Sequence, residues 1–413
     1  MTASALAYLR SPLAIRARCE AIFELAAEGR SEHFKVDLEA LPVVVDEVVR
    51  VTREHYPELK IPVHGRINHF RAGGVDRVAA LGAKISAILD VGPDHHAGDR
   101  HARAWIDLVV VSVLLDAGAG PTWRFHEPAT GLEIGRSEGL AIASLHAFEA
   151  GLFSADPENP LRVDAAALRA LDAAKLEAAF QSSAQNVLPA VDGRLGLVRA
   201  LGEALLRSPR LFAGGRPSGL LDHFRMIAPQ RQLPAAEILT TLLEGLSSIW
   251  PSRLTLDGKP LGDIWRHRGA GGSGPTEGLV PFHELSQWLA YSLFEPLERS
   301  GLTILQPDAL TALPEYRNGG LLVDLGVLVP KHARARAIAH PPGDELIVEW
   351  RALTIAVLDR VAVGVRERLG LTALQLPLAC VLEGTWGAGR AVAARLRPDG
   401  GPPIRIELDG TVF

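Results

Sequence analysis

Only two cysteines occur in the 413 residues, Cys19 and Cys380, far apart and in no CxxC arrangement. That excludes a disulfide framework and a paired-thiol metal site, and leaves two free thiols suited to a reducing compartment. A basic excess is also missing: 43 lysines and arginines stand against 48 aspartates and glutamates, for a net charge of -5. No positive field exists to drive sequence-independent binding to DNA or RNA. Long apolar runs are absent too. The longest, around 106–119, is broken by Asp107 and Asp116 and is too short to span a bilayer. The opening stretch MTASALAYLRSPLAIRARCEAIFELAAEG has no continuous apolar segment followed by a small-residue cleavage site. A soluble cytoplasmic protein with no membrane and no nucleic-acid partner is expected. HExxH, a Walker loop, a Rossmann fingerprint and a Ser/His/Asp arrangement are all missing, so no motif names a reaction.

What is present is core-forming material. Hydrophobic residues make up 47% of the chain and charged residues 22%, enough for a large globular core. Residues 4–55 read as helices broken at Arg10-Ser11-Pro12 and Gly29-Arg30-Ser31, and 105–118 as an interior helix. TWRFHEPATGLEIGRS (122–137) reads as a hairpin with a four-residue turn, followed by a helix that stops at Gly151. Two Ala/Leu-rich helices are expected over 164–207, separated near Pro189, and GAGGSGP (269–275) is the one flexible stretch. Long helices are predicted from about Phe282 to Leu297 and over 344–370, the second with Asp344 and Glu345 at its start to suit the dipole. The tail PPIRIELDGTVF alternates like a strand. The class is mainly α (α+β) with a small β part. It reads as one large domain over 1–413, divisible into 1–160, which carries the hairpin, and 161–413, which carries Glu315.

Several clusters could carry chemistry. DHHAGDRH (94–101) has the residue types of a metal site, but neither HExxH nor paired CxxC accompanies it, and no metal is expected. HGRINHFRAGGVDR (64–77) sets His64, Arg66, His69, Arg71 and Arg77 around Gly73-Gly74, a composition suited to a phosphate or carboxylate. The hairpin offers Trp123, Arg124, Arg136 and Glu138; stacking on a planar group is one reading, and composition favours an ordinary surface hairpin. Glu349 falls on the apolar side of its helix with Leu353, Ala356 and Arg360. It either pairs with an arginine such as Arg360 or faces a polar ligand. In LPEYRNGGLLVDLGVL (313–328), the apolar run after Gly320 enters the core, which puts Glu315 at its mouth.

Taken together, HGRINHFRAGGVDR, WRFHEPATGLEIGRSEGLAIASLHAFEAGLFSADPENPLR, IWPSR with LGDIWRH, VPFHELSQWLAYSLFEPL, LPEYRNGGLLVDLGVL, VEWRALTIAVLDR and the terminal LDGTVF resemble the fourth uracil-catabolism protein family of fungi and bacteria, over nearly the whole chain. The resemblance implies a pyrimidine-degradation route in which uracil becomes a nucleotide, its ring opens, ribosylurea-type compounds form and urea is released. It also implies functional links to a ring-opening enzyme and to uracil phosphoribosyltransferase. The order of motifs is similar, more distantly, to the queuosine salvage family, which hydrolyses the N-glycosidic bond of a modified nucleoside 5′-phosphate on a helical core related to DNA glycosylases. Its Asp-Tyr-Arg motif matches Glu315-Tyr316-Arg317, and its Asp-x-Leu-Asn-Phe segment with a following tryptophan matches Asp116-Ala117-Gly118 and Trp123. Its Glu-x-Arg matches Glu349-Trp350-Arg351, and its Lys-Arg-Ala-Gln matches Glu284-Leu285-Ser286-Gln287. Two departures stand out: the catalytic aspartate is a glutamate here, and the Lys-Arg pair has become Glu-Leu.

These resemblances imply hydrolysis of the C1′–N bond of a ribosylurea or its 5′-phosphate. Glu315 would stabilise an oxocarbenium-like state, with Glu138 or Glu349 as the acid that protonates urea. Asp116, Gln287, Arg317 and Arg351 would hold the sugar or its phosphate beside Tyr316, and Trp123 would pack on the ligand. No cofactor is called for. The alternative is a non-catalytic helical partner that channels an intermediate of the same route.

Overall fold

The Glu345–Leu369 helix is the longest element of the fold, and its ends follow from local chemistry. The Asp344 carboxylate accepts from the Leu346 amide at 3.1 Å, satisfying one of the orphan donors of the first turn. Gly370, at a φ of 69°, closes the other end in the left-handed conformation that glycine adopts freely. The Pro12–Ala27 and Leu41–His55 helices pack along it.

The computed structural model describes residues 2–88, 97–116, 118–250 and 253–407. Among them the fold is mainly α, and strands form only two-stranded sheets. The predicted hairpin is one of these: Arg124–Glu127 pairs antiparallel with Leu132–Gly135, and the Arg136–Glu149 helix follows at once. One apolar cluster draws on residues from Ile15 to Ile404 and contains the fully buried Trp105, Trp123 and Trp350. Each large side chain so buried contributes about 1.5–3 kcal/mol. No helix among the described residues is long and apolar enough to cross a membrane.

Two close approaches bring the Glu315 segment to its place. The Tyr316–Asp324 helix lies against Leu378–Leu396, where a Cβ on Gly389 would come within 2.3 Å of the Arg317 carbonyl oxygen. A Cβ on Gly319 would meet Thr354 and Trp350 at 2.9 Å. The Trp350 indole donates to the Gly319 carbonyl at 3.1 Å. Gly319 therefore serves helix packing, while Gly320 lies against Pro403.

Some local expectations need correction. Residues 164–207 form three helices, Ala165–Ala170, Ala173–Ala179 and Val191–Arg207, because Asp164 and Asp172 each cap a new start. GAGGSGP bridges the paired strands Ile264–Arg266 and Leu279–Pro281, and the Arg18 guanidinium holds it through the Ala270 carbonyl at 3.0 Å. The segment 64–77 is a packed corner containing the helical turn Arg66–His69, with His64, Arg66 and Arg77 buried. Among the described residues of the tail, only Arg405–Ile406 is a strand, parallel to Ala339–His340. All of LDGTVF lies outside the described residues, as do Asp94, His95 and His96 of the metal candidate. Of that cluster, Asp99 is bound to Arg225 through two contacts of 2.6 Å, and His101 Nε2 lies 3.1 Å from the Gly82 carbonyl.

Candidate functional site

A cavity of about 400 Å³ opens where several helix ends converge, a volume suited to a small molecule. The N-terminal turns of Arg136–Glu149, Glu284–Arg299 and Tyr316–Asp324 line it, as does Asp116 just beyond the end of Ala97–Leu114. Three helix N-termini supply positive dipole ends, and each presents a carboxylate to the cavity: Glu138, Glu284 and Glu315. Trp288 and Trp386 form apolar walls with Tyr316, and residues 399–406 close one side.

Glu315 caps its own helix. Its Oε2 accepts from the Arg317 amide and its Oε1 from the Asn318 amide, both at 2.6 Å. These bonds, with Arg317 and His64 nearby, favour the charged form, but burial prevails and raises the carboxyl above its ordinary value. The Arg317 guanidinium lies 4.8 Å from the Tyr316 ring centroid and donates to the Gly400 carbonyl at 2.7 Å. Arg136 donates to the Asp399 carbonyl at 2.6 Å, so both arginines hold the closing segment while lining the cavity. Arg136 has a φ of 58°, a backbone strain of the kind that concentrates at functional sites.

Asp116 is buried beside Arg66 Nη1 at 3.0 Å and accepts from Ser137 Oγ. Burial pushes its carboxyl up to about 6, although Arg66 and Ser137 oppose the rise. Glu138 pairs with Arg390. Burial takes the Glu284 carboxyl up to about 8, with Arg351 opposing and Asp263 and Glu315 adding to the rise. His69 stays neutral well below its usual range because it is buried and faces Arg66 and His64.

The structure does not bring every candidate here. Trp123 is fully buried, and its indole donates to the Phe180 carbonyl at 3.0 Å; Trp288 and Trp386 are the aromatics of the cavity. Arg124 bonds the Pro121 and Trp123 carbonyls outside the lining. Gln287 is buried against Thr311, donating to its Oγ1 and accepting from its amide at 3.0 Å. Glu349 binds Ser31, the Phe34 amide at 2.9 Å and His267 at 3.2 Å, while Arg360 pairs with Glu20. Neither of the two readings of Glu349 holds. Arg351 lies behind the wall, on Asp263 and Glu284. The expected anion cluster is dispersed. Arg77 is buried on Glu127 at 2.5 Å, and Arg71 lies outside the lining, near Asp76 and Glu295. Arg66 serves Asp116, and of the cluster only His64 and His69 line the cavity.

With this geometry in hand, the relatives can be placed. A family described as "Protein of unknown function (DUF1688)" matches residues 8–413. Protein urg3 of Schizosaccharomyces pombe is 39% identical over 423 residues, covering all of both chains. Uracil catabolism protein 4 of Lachancea kluyveri is 37% identical over 439 residues, covering 98% of each.

The chain belongs to this family.

Sequence reasoning missed several members of the site. Trp386, Arg390 and the Glu383 that bonds His64 all lie on Leu378–Leu396, whose alanine-rich sequence carries no motif. Glu284 was visible only as a departure from a lysine, and its partner Asp263 had no signal. His64 was quoted with the expected anion cluster, but its contact lies more than 300 positions away.

Proposed function

We propose that this protein acts in uracil catabolism and hydrolyses the N-glycosidic bond of a ribosylurea-type compound, or its 5′-phosphate, releasing urea and ribose or ribose phosphate. The name of the L. kluyveri relative supports the route. The observation that carries the reaction is the pairing of two unlike carboxyl groups on one cavity: Glu315 with two amide donors, and Glu284 pushed up to about 8.

Breaking the C1′–N bond builds positive charge on the ribosyl ring. A fixed carboxylate beside C1′ stabilises that charge, and most strongly where water is excluded. Glu315 has this role, since its two amide bonds fix its orientation before substrate arrives. Urea leaves poorly as an anion, so its nitrogen must be protonated. Glu284 holds a proton at neutral pH and supplies it. It replaces Glu349, which is turned away from the cavity, and Glu138, which is committed to Arg390. Trp288, Trp386 and Tyr316 enclose the ligand, and Arg136 and Arg317 face its polar end. Purified protein incubated with ribosylurea and with its 5′-phosphate should release urea from one of them. No urea from either would remove the hydrolase reading and favour the non-catalytic channelling partner.

A further inference from the structure

Glu315 is poorly placed to take a proton from water, because protonation of either oxygen would disturb a 2.6 Å bond from a backbone amide. Hydrolysis needs another base. His64 lines the same cavity as Glu315.

We propose that His64 is the general base that takes the proton of the attacking water, and that Glu383, itself held by Tyr56, is the residue that positions it. This rests on the hydrolytic reading above.

His64 is 3% exposed, and its amide donates to the Ala379 carbonyl at 2.8 Å, which fixes the backbone. Its Nδ1 lies 2.7 Å from Glu383 Oε2, and the Tyr56 hydroxyl donates to Glu383 Oε1 at 3.0 Å. Among the described residues Nε2 has no protein partner. The ring is flanked by Trp386, with centroids 5.7 Å apart, and by His69 at 6.3 Å. Burial acts to raise the Glu383 carboxyl, but its bonds to His64 and Tyr56 hold it below the ordinary value. An ionised Glu383 places the imidazole proton on Nδ1 and leaves the Nε2 lone pair toward the cavity. A carboxylate that orients a histidine in this way is the arrangement general bases use.

The step balances. The C1′–N bonding pair goes to the urea nitrogen, which takes the Glu284 proton. The water oxygen bonds C1′, and its second proton goes to His64 Nε2. Loss of that proton from His64 and uptake of one by Glu284 restore the site. The products are urea and the free sugar or its phosphate.

The test uses the full chain and two readouts. Nitrogen NMR of histidine-labelled protein without substrate reports the His64 tautomer. Urea release from ribosylurea or its 5′-phosphate reports kcat and KM. A His64 ring that carries its proton on Nδ1 is expected, with the preference for Nδ1 weakened in Glu383→Gln and kept in Glu383→Asp. His64→Gln should lower kcat about 10²- to 10⁴-fold with little change in KM, and Glu383→Gln should lower kcat with Glu383→Asp recovering part of it. Tyr56→Phe, which keeps the dyad, gives a milder loss and serves if Glu383→Gln does not fold. Protonation on Nε2, or an unchanged kcat in folded His64→Gln, overturns the assignment while the hydrolase reading stands. Wild-type protein that releases no urea overturns both.

Discussion

Arg351 joins Glu284 to a second acid. Its Nη2 lies 2.8 Å from Glu284 Oε2, while Nη1 and Nη2 both reach Asp263 at 2.9 Å. One guanidinium thus serves two carboxyl groups, and the bidentate partner keeps the charge. Asp263 is held well below the carboxylate range despite burial, and Glu284 is left as the one that holds a proton.

This makes Glu284 a source of pH dependence. Its folded pKa of about 8 exceeds the ordinary 4.5, so between those values the folded chain binds a proton that the unfolded chain has released. Its contribution to stability is therefore full below pH 4.5 and is lost as pH rises through about 8. Guanidinium midpoints measured at pH 5 and pH 8.5 should fall more in wild type than in Glu284→Gln. Urea release should show an alkaline limb near pH 8 that the variant lacks, at much reduced rate. An identical stability slope in both proteins would remove the proton from Glu284.

Glu315→Gln should fold and fail to turn over. The amide oxygen keeps one cap acceptor, so the cost to stability is about 0.5–2 kcal/mol. Losing the charge facing the ribosyl cation should lower kcat by about 10²–10³ or more. Because burial raises this carboxyl, the acid limb of wild-type activity should lie above the ordinary glutamate value. Wild-type turnover in the variant would exclude Glu315 from the chemistry.

Arg77→Ala separates structure from ligand binding. Removing the guanidinium leaves Glu127 buried and short of its main partner, the interaction that draws it down to about 2. A loss of about 3–5 kcal/mol is expected, with kcat and KM of the folded fraction unchanged. A raised KM would return Arg77 to the ligand.

The tryptophans divide in the same way. Trp123→Phe removes an indole donor and leaves the Phe180 carbonyl unpaired, costing about 1–3 kcal/mol without altering KM. Trp386→Ala should raise KM several-fold with a small change in melting temperature. The opposite pattern would move the ligand to the hairpin.

By itself the sequence determined the helical class, the hairpin and the limits of the two long helices near 282–297 and 344–370, since apolar period, caps and turn residues act over a few positions. Asp344 and Gly370 bound their helix by contacts within that helix, and the segment leading inward from Gly320 was readable with Glu315 at its head. Which charges reach the cavity was settled only by packing. Arg77 and Glu349 look as functional as Arg136 and Glu138 in a linear string, yet partners 50 and 82 positions away, Glu127 and His267, hold the first two in the interior. His64 and Glu383, Glu284 and Arg351 likewise meet only when distant helices pack. Burial and pairing decide what a buried acid or histidine does, and both depend on the whole fold.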